Sequence, residues 1–174
     1  LQLDPVSPFM AAGTARVLYL MRRYDEAIDQ YKKTLDLDPQ FIYAHLGLGT
    51  VYIQQKRYPE AVQELQLAGQ LSGNNLSSLS ELARAYPPIG KSQEARNILS
   101  GFLRQAASGS FPPKPIAKVY LALGDKSKAI TWLGAAIQAQ DISLELESDP
   151  IWDPLRSDPR FESLMRDERQ PANP

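Results

Sequence analysis

Four alanines, Ala27, Ala61, Ala95 and Ala129, stand 34 residues apart, and the neighbours of each one match. Four residues after each alanine comes a large side chain, Tyr31, Leu65, Leu99 or Leu133, and seven after comes Thr34, Ala68, Phe102 or Ala136. Nine before stands Leu18, Tyr52, Tyr86 or Tyr120, and twelve before stands a small residue, Ala15, Gly49, Ala83 or Ala117. Leu1-Gln2-Leu3-Asp4-Pro5 returns as Leu35-Asp36-Leu37-Asp38-Pro39 in the same register. An uninterrupted period of this length means one helix-turn-helix unit written out four times. Small residues let two helices approach closely, and the large ones fill the space between neighbouring pairs. One pair cannot bury its apolar face alone, so several must stack.

Over roughly residues 6–141 this register resembles the tetratricopeptide repeat family. The resemblance implies an all-α fold, a right-handed solenoid of four helical hairpins with a C-terminal helical cap. The units are residues 8–41, 42–75, 76–109 and 110–141, preceded by the end of an earlier repeat (residues 1–5) and followed by a capping tail (residues 142–174). Departures are local. The tryptophan the family often carries early in its first helix is here Ala11, His45, Leu79 and Pro113, and the closing proline survives only at Pro5 and Pro39.

In each unit the pattern predicts a helix A, a tight turn and a helix B. The expected pairs are 8–21 with 24–37, then 41–54 with 58–71. Proline disturbs the later ones. Pro87 and Pro88 fall in the last turn of the third helix A, where each removes a backbone bond and clashes with the carbonyl four residues back. That helix is expected over 76–85, with Tyr86 pushed out of helical geometry by the proline after it. Its partner is expected over 92–105. The proline-rich run 108–115 should consume the start of the fourth helix A, leaving 115–123, followed by 127–140.

In the tail, Asp149-Pro150, Asp153-Pro154 and Asp158-Pro159 each pair a capping residue with the residue best tolerated at a helix start. Ile151, Trp152, Leu155, Phe161 and Leu164 can cover the apolar flank of the last repeat. The stretch from Asp149 to Phe161 is similar to the ending of repeat arrays in multidomain bacterial regulators of kinase, winged-helix or cyclase type. That likeness implies a bacterial signalling parent whose earlier part lies outside this chain.

Nothing in the chain favours catalysis. The lone histidine, His45, has no nearby Cys and no HxxxH or HxxE pairing in the sequence, while general-base work needs a positioned partner, so it reads as a packing residue. The three aspartates lack the alternate-position oxygens and central glycine of a calcium loop. Glu26, Glu60 and Glu94 complement the positive ends of B helices. Gly13-Thr14 and Gly90-Lys91 sit in no phosphate-cradling loop. The segment is read as non-enzymatic, with no metal and no cofactor. The 19 basic and 20 acidic residues nearly cancel, which gives no nucleic-acid or anionic-membrane surface. No apolar run has transmembrane length. The absence of cysteine leaves the compartment open, with the cytoplasm favoured.

Binding is therefore the expected function. The resemblance implies that the A helices line a concave face. Its inward positions are Phe9, Ala12, Gly13, Arg16 and Tyr19, then Tyr43, Leu46, Gly47, Thr50 and Ile53. Ser77, Ser80, Glu81 and Arg84 follow in the third unit, and Lys114 and Lys118 in the fourth. Repeats that clamp a chaperone's C-terminal carboxylate use an Asn and Lys pattern where Ala12, Arg16 and Gly47 stand, so that ligand is not implied. Aromatics at one end and cations along the face suit an extended peptide with apolar and acidic residues. The chain reads as a scaffold or sensor module for a protein or peptide partner. The rival reading is a self-associating segment, forming a homodimer, or an autoregulatory one.

Overall fold

The computed structural model describes residues 7–109, 111–139 and 146–169. They are helical, with no strand among them. The chain divides into two compact units, Leu1–Ala85 and Tyr86–Pro174. The first contains α1 (Pro8–Leu20), α2 (Tyr24–Leu37), α3 (Ile42–Gln54), α4 (Tyr58–Ser72) and α5 (Leu76–Ala85). The second contains α6 (Ser92–Ala107), α7 (Pro113–Ala122), α8 (Lys126–Gln138) and α9 (Pro159–Arg169), with short 3-10 turns at Pro87–Ile89 and Pro150–Leu155.

The register positions are the packed ones. Ala27, Ala61, Ala95 and Ala129 are fully buried, as are Ala15, Ala83 and Ala117 in the facing helices. Gly49 takes the same place in α3, and a Cβ there would run into the Leu65 side chain. Within the first unit α1 pairs with α2 and α3 with α4, while α2 also packs on α3 and α4 on α5. The A helices α1, α3 and α5 thus become neighbours.

One turn is made four times. The amide of Arg23 donates to the Leu18 carbonyl at 2.9 Å, Arg57 to Tyr52 at 2.8 Å, Lys91 to Tyr86 at 3.0 Å and Asp125 to Tyr120 at 2.9 Å. These bonds satisfy carbonyls that a helix end leaves without intrahelical partners. The closure requires a left-handed residue just before each donor: Arg22 (φ 62°), Lys56 (φ 61°), Gly90 (φ 79°) and Gly124 (φ 85°). Two of the four adopt this backbone with a side chain in place.

The prolines act largely as their chemistry dictates. α5 stops at Ala85, and the division between units falls there, inside the expected third repeat. Tyr86 corrects one expectation, since it keeps helical dihedrals (φ −72°, ψ −46°). Its carbonyl accepts from both Ile89 and Lys91, and this closure offsets the steric pressure from Pro87. α7 also begins earlier than expected, at Pro113 rather than Pro115. Both prolines sit in its first turn, where the missing N–H groups would have had no intrahelical partner.

In the second unit Ile151, Trp152, Leu155 and Phe161 are buried in one cluster with Ala129, Leu133 and Ala117, and Leu164 packs against it. Asp149 accepts from the Ile151 amide at 3.1 Å and Asp158 from the Arg160 amide at 3.0 Å, as caps do. Asp153 instead lies within the 3-10 turn and pairs with Arg156 at 2.8 Å. The expected repeat end at residues 1–5, the end of α8 at Gln140 and the start of the tail at 142–145 lie outside the described residues.

Candidate functional site

The A helices of the first unit carry exposed aromatic side chains that touch one another. Phe9, near the start of α1, is 70% exposed, and Tyr43, its register mate in α3, is 61% exposed. Their rings meet edge to face with centroids 6.4 Å apart. Phe41, the residue preceding α3, tilts against Tyr43 at 5.7 Å. Three aromatic rings are therefore gathered on one outward surface. Phe41 was not anticipated as a site residue, because it reads as the first residue of a helix and its orientation depends on the loop before α3.

The other expected positions divide by burial. Ser77 is exposed, and Arg16, Leu46 and Ile53 are half-buried. Ala12, Tyr19, Thr50 and Arg84 are buried, which removes them as open contact surface. Tyr19 is 1% exposed; its ring tilts against Tyr24, and its hydroxyl accepts from Gln54 at 3.4 Å. The Arg16 guanidinium lies 5.1 Å from the centre of that ring, a cation–π contact that orients the charge. Tyr19 is thus a support for Arg16. Thr50 turns its hydroxyl back to the Leu46 carbonyl at 2.9 Å. Arg84 forms a buried ion pair with Glu81 within α5, a spacing that places the two on neighbouring turns. Ser80 is also buried. Lys114 and Lys118 are half-buried on α7, in the second unit. Gly47 is not groove surface either: a Cβ built there would collide with the Tyr31 ring of α2.

His45 is the packing residue expected of it, with a polar role the sequence did not announce. It is 5% exposed, its Nδ1 lies 2.7 Å from a Glu64 carboxylate oxygen of α4, and its Nε2 lies 2.9 Å from the Pro39 carbonyl. The imidazole ties the start of α3 to α4 and to the turn before it. Glu64 stands nineteen residues away, so no local motif marked the pair. Among the described residues no group of three or more His, Cys, Asp or Glu is placed to hold a metal ion.

Residues 18–75 match the tetratricopeptide repeat family. A solved thermophilic protein of that type from Thermus thermophilus aligns over 94% of this chain and 84% of its own, with a TM-score of 0.63 and 17% identity. The fold is the tetratricopeptide repeat. Repeats from a putative kinesin light chain of Podosopora anserina align over 95% of this chain and 96% of theirs, with a TM-score of 0.55 and 19% identity. Among curated proteins, the small glutamine-rich tetratricopeptide repeat-containing protein 2 of Mycosarcoma maydis is 27% identical over 95 residues. That alignment takes in 55% of this chain and spans only 27% of the relative's length.

Proposed function

We propose that this chain is a protein-interaction scaffold, and that the outward surface of α1 and α3 receives an extended segment of its partner. The division into four repeats at 8–41, 42–75, 76–109 and 110–141 belongs to this reading, as does a bacterial multidomain regulator as the parent protein. The observation that carries the binding site is the exposed Phe9–Tyr43 pair. Two large rings held against each other but uncovered are stiff anchors of the kind that dominate interface energies. Arg16 adds a forked cation whose orientation is set by Tyr19, and a carboxylate is its natural complement. The ligand is thus a polypeptide carrying apolar side chains with an acidic group nearby.

A library of extended peptides displayed on phage and selected on the protein tests this. Selected sequences should pair apolar with acidic residues. Phe9→Ala and Tyr43→Ala should each weaken their binding by about 1–2 kcal/mol. Arg16→Ala should weaken it and flatten its salt dependence, because a screened charge contact is removed. Lys33→Ala, exposed on α2, should change nothing. Peptides that bind both aromatic variants at full strength would place the site elsewhere.

A further inference from the structure

His45 grips the turn that leads into α3 at two points. Its Nε2 lies 2.9 Å from the Pro39 carbonyl, and its backbone amide donates to the Phe41 carbonyl at 3.4 Å. Its Nδ1 lies 2.7 Å from the Glu64 carboxylate, which anchors the ring to α4. The gripped residues, 39–41, end in Phe41, whose ring tilts against Tyr43 at 5.7 Å. One side of the aromatic surface is therefore placed by a buried imidazole.

Both ring nitrogens face groups that accept. A carbonyl has no proton to give, so the Pro39 contact needs one on Nε2. The Glu64 contact needs another, on Nδ1 of an imidazolium or on the carboxyl of an acid. Either way the pair holds one proton more than a neutral imidazole beside a carboxylate. Once that proton leaves, a single N–H is left for two acceptors. A bond to an ionised carboxylate is roughly twice as strong as one to a neutral carbonyl. The N–H then stays with Glu64, and Pro39 is released. Charged neighbours are engaged elsewhere: Asp38 accepts from the Gln40 amide and Glu60 from Arg57, each at 3.0 Å. On the helices packed against α3, Arg16 lies over Tyr19, Tyr31 stands over Gly47, and Glu81 pairs with Arg84. Among the described residues Glu64 is the titratable side chain in contact with the imidazole.

We infer that the His45–Glu64 pair is a proton-dependent clamp that positions the partner site. Holding its extra proton, it closes the Pro39–Phe41 turn and completes the aromatic surface; losing that proton, it frees the turn. His45 is thus a positioning residue, acting through Phe41 without touching the partner. This rests on the reading of Phe9 and Tyr43 as a binding surface. The closed form binds the extra proton, so it is favoured as pH falls and lost as pH rises.

The test follows the Phe41–Tyr43 ring contact by nuclear Overhauser effects in the protein alone while the imidazole is titrated. His45 is the only histidine, so its ring signals are unambiguous. The ring contact should weaken along the same pH curve as the imidazole. Glu64→Gln is the diagnostic variant. Its amide can donate to Nδ1 of a neutral imidazole and leave the Nε2 proton to Pro39, so both contacts survive without the extra proton. Its ring contact should therefore not change with pH. Peptides from the phage selection should bind the parent about threefold more weakly above the imidazole titration than below it, as the competent fraction falls. They should bind Glu64→Gln equally on both sides. A ring contact that stays constant through the titration, or that still weakens with pH in Glu64→Gln, overturns the inference. Peptides indifferent to Phe9→Ala and Tyr43→Ala would overturn the binding reading instead, and the rings, observed without any peptide, would still decide the clamp.

Discussion

The four left-handed turn residues form an internal experiment on backbone strain. Arg22, Lys56, Gly90 and Gly124 occupy equivalent places and are all exposed. A Cβ at Gly90 or Gly124 meets no atom within 4 Å, so packing does not confuse the result. A left-handed conformation costs a residue with a Cβ about 1–2 kcal/mol. Glycine offsets part of that advantage by losing about 0.4–1 kcal/mol more chain entropy on folding. The difference leaves a net of about 0.5–1 kcal/mol in favour of glycine at each site. Gly124→Ala should therefore destabilise, and Lys56→Gly should stabilise, by about that amount. The assay is urea unfolding, comparing midpoints at constant slope. Both tryptophans, Trp132 and Trp152, lie in the second unit, so their fluorescence reports Gly124→Ala there. Far-UV circular dichroism reports Lys56→Gly in the first. Equal midpoints for parent and both variants would mean that the turns are not left-handed in solution.

Ala61→Leu should overpack the fully buried contact between α3 and α4 and cost about 1–3 kcal/mol; unchanged thermal unfolding would discredit the register. Trp152→Ala should remove a fully buried side chain from the cluster that covers α8, at about 3–5 kcal/mol, read by chemical unfolding of the second unit. Glu26 and Glu60 have carboxyls held below the usual range, Glu26 chiefly by its hydrogen bond from Arg23 and Glu60 chiefly by its own backbone N–H with Arg57 second. Depressed carboxylates stabilise above their unfolded range and lose that contribution as pH falls through the folded values. Carboxyl titration by NMR should then show Arg23→Ala restoring Glu26 to the ordinary range, and Arg57→Ala raising Glu60 only in part.

How much could be read without a structure follows from what each position needs. Ala27, Ala61, Ala95 and Ala129 are legible because close helix approach tolerates no larger side chain, so the constraint is written into residue type at a fixed period. The early stop of α5 is legible because a proline's missing N–H acts within one helix. The turn geometry was only half visible: Gly90 and Gly124 suggest a positive φ, but Arg22 and Lys56 do not. The site was least legible. Tyr19 and Tyr43 are both tyrosines expected on the inward side of A helices, yet one is 1% and the other 61% exposed. Residue type cannot separate them, because their burial depends on side chains contributed by other elements and by the turns beside them. Gln54 and Tyr24 close over Tyr19, while Tyr43 meets the rings of Phe9 and Phe41 on its outward side. Likewise Gly13 and Gly47 are the same residue in the same register, and only the presence of Tyr31 over Gly47 makes it a filled contact while Gly13 stays open. Repetition along the chain determined the helical hairpin and its packing; contacts between successive hairpins decided which surfaces were left exposed.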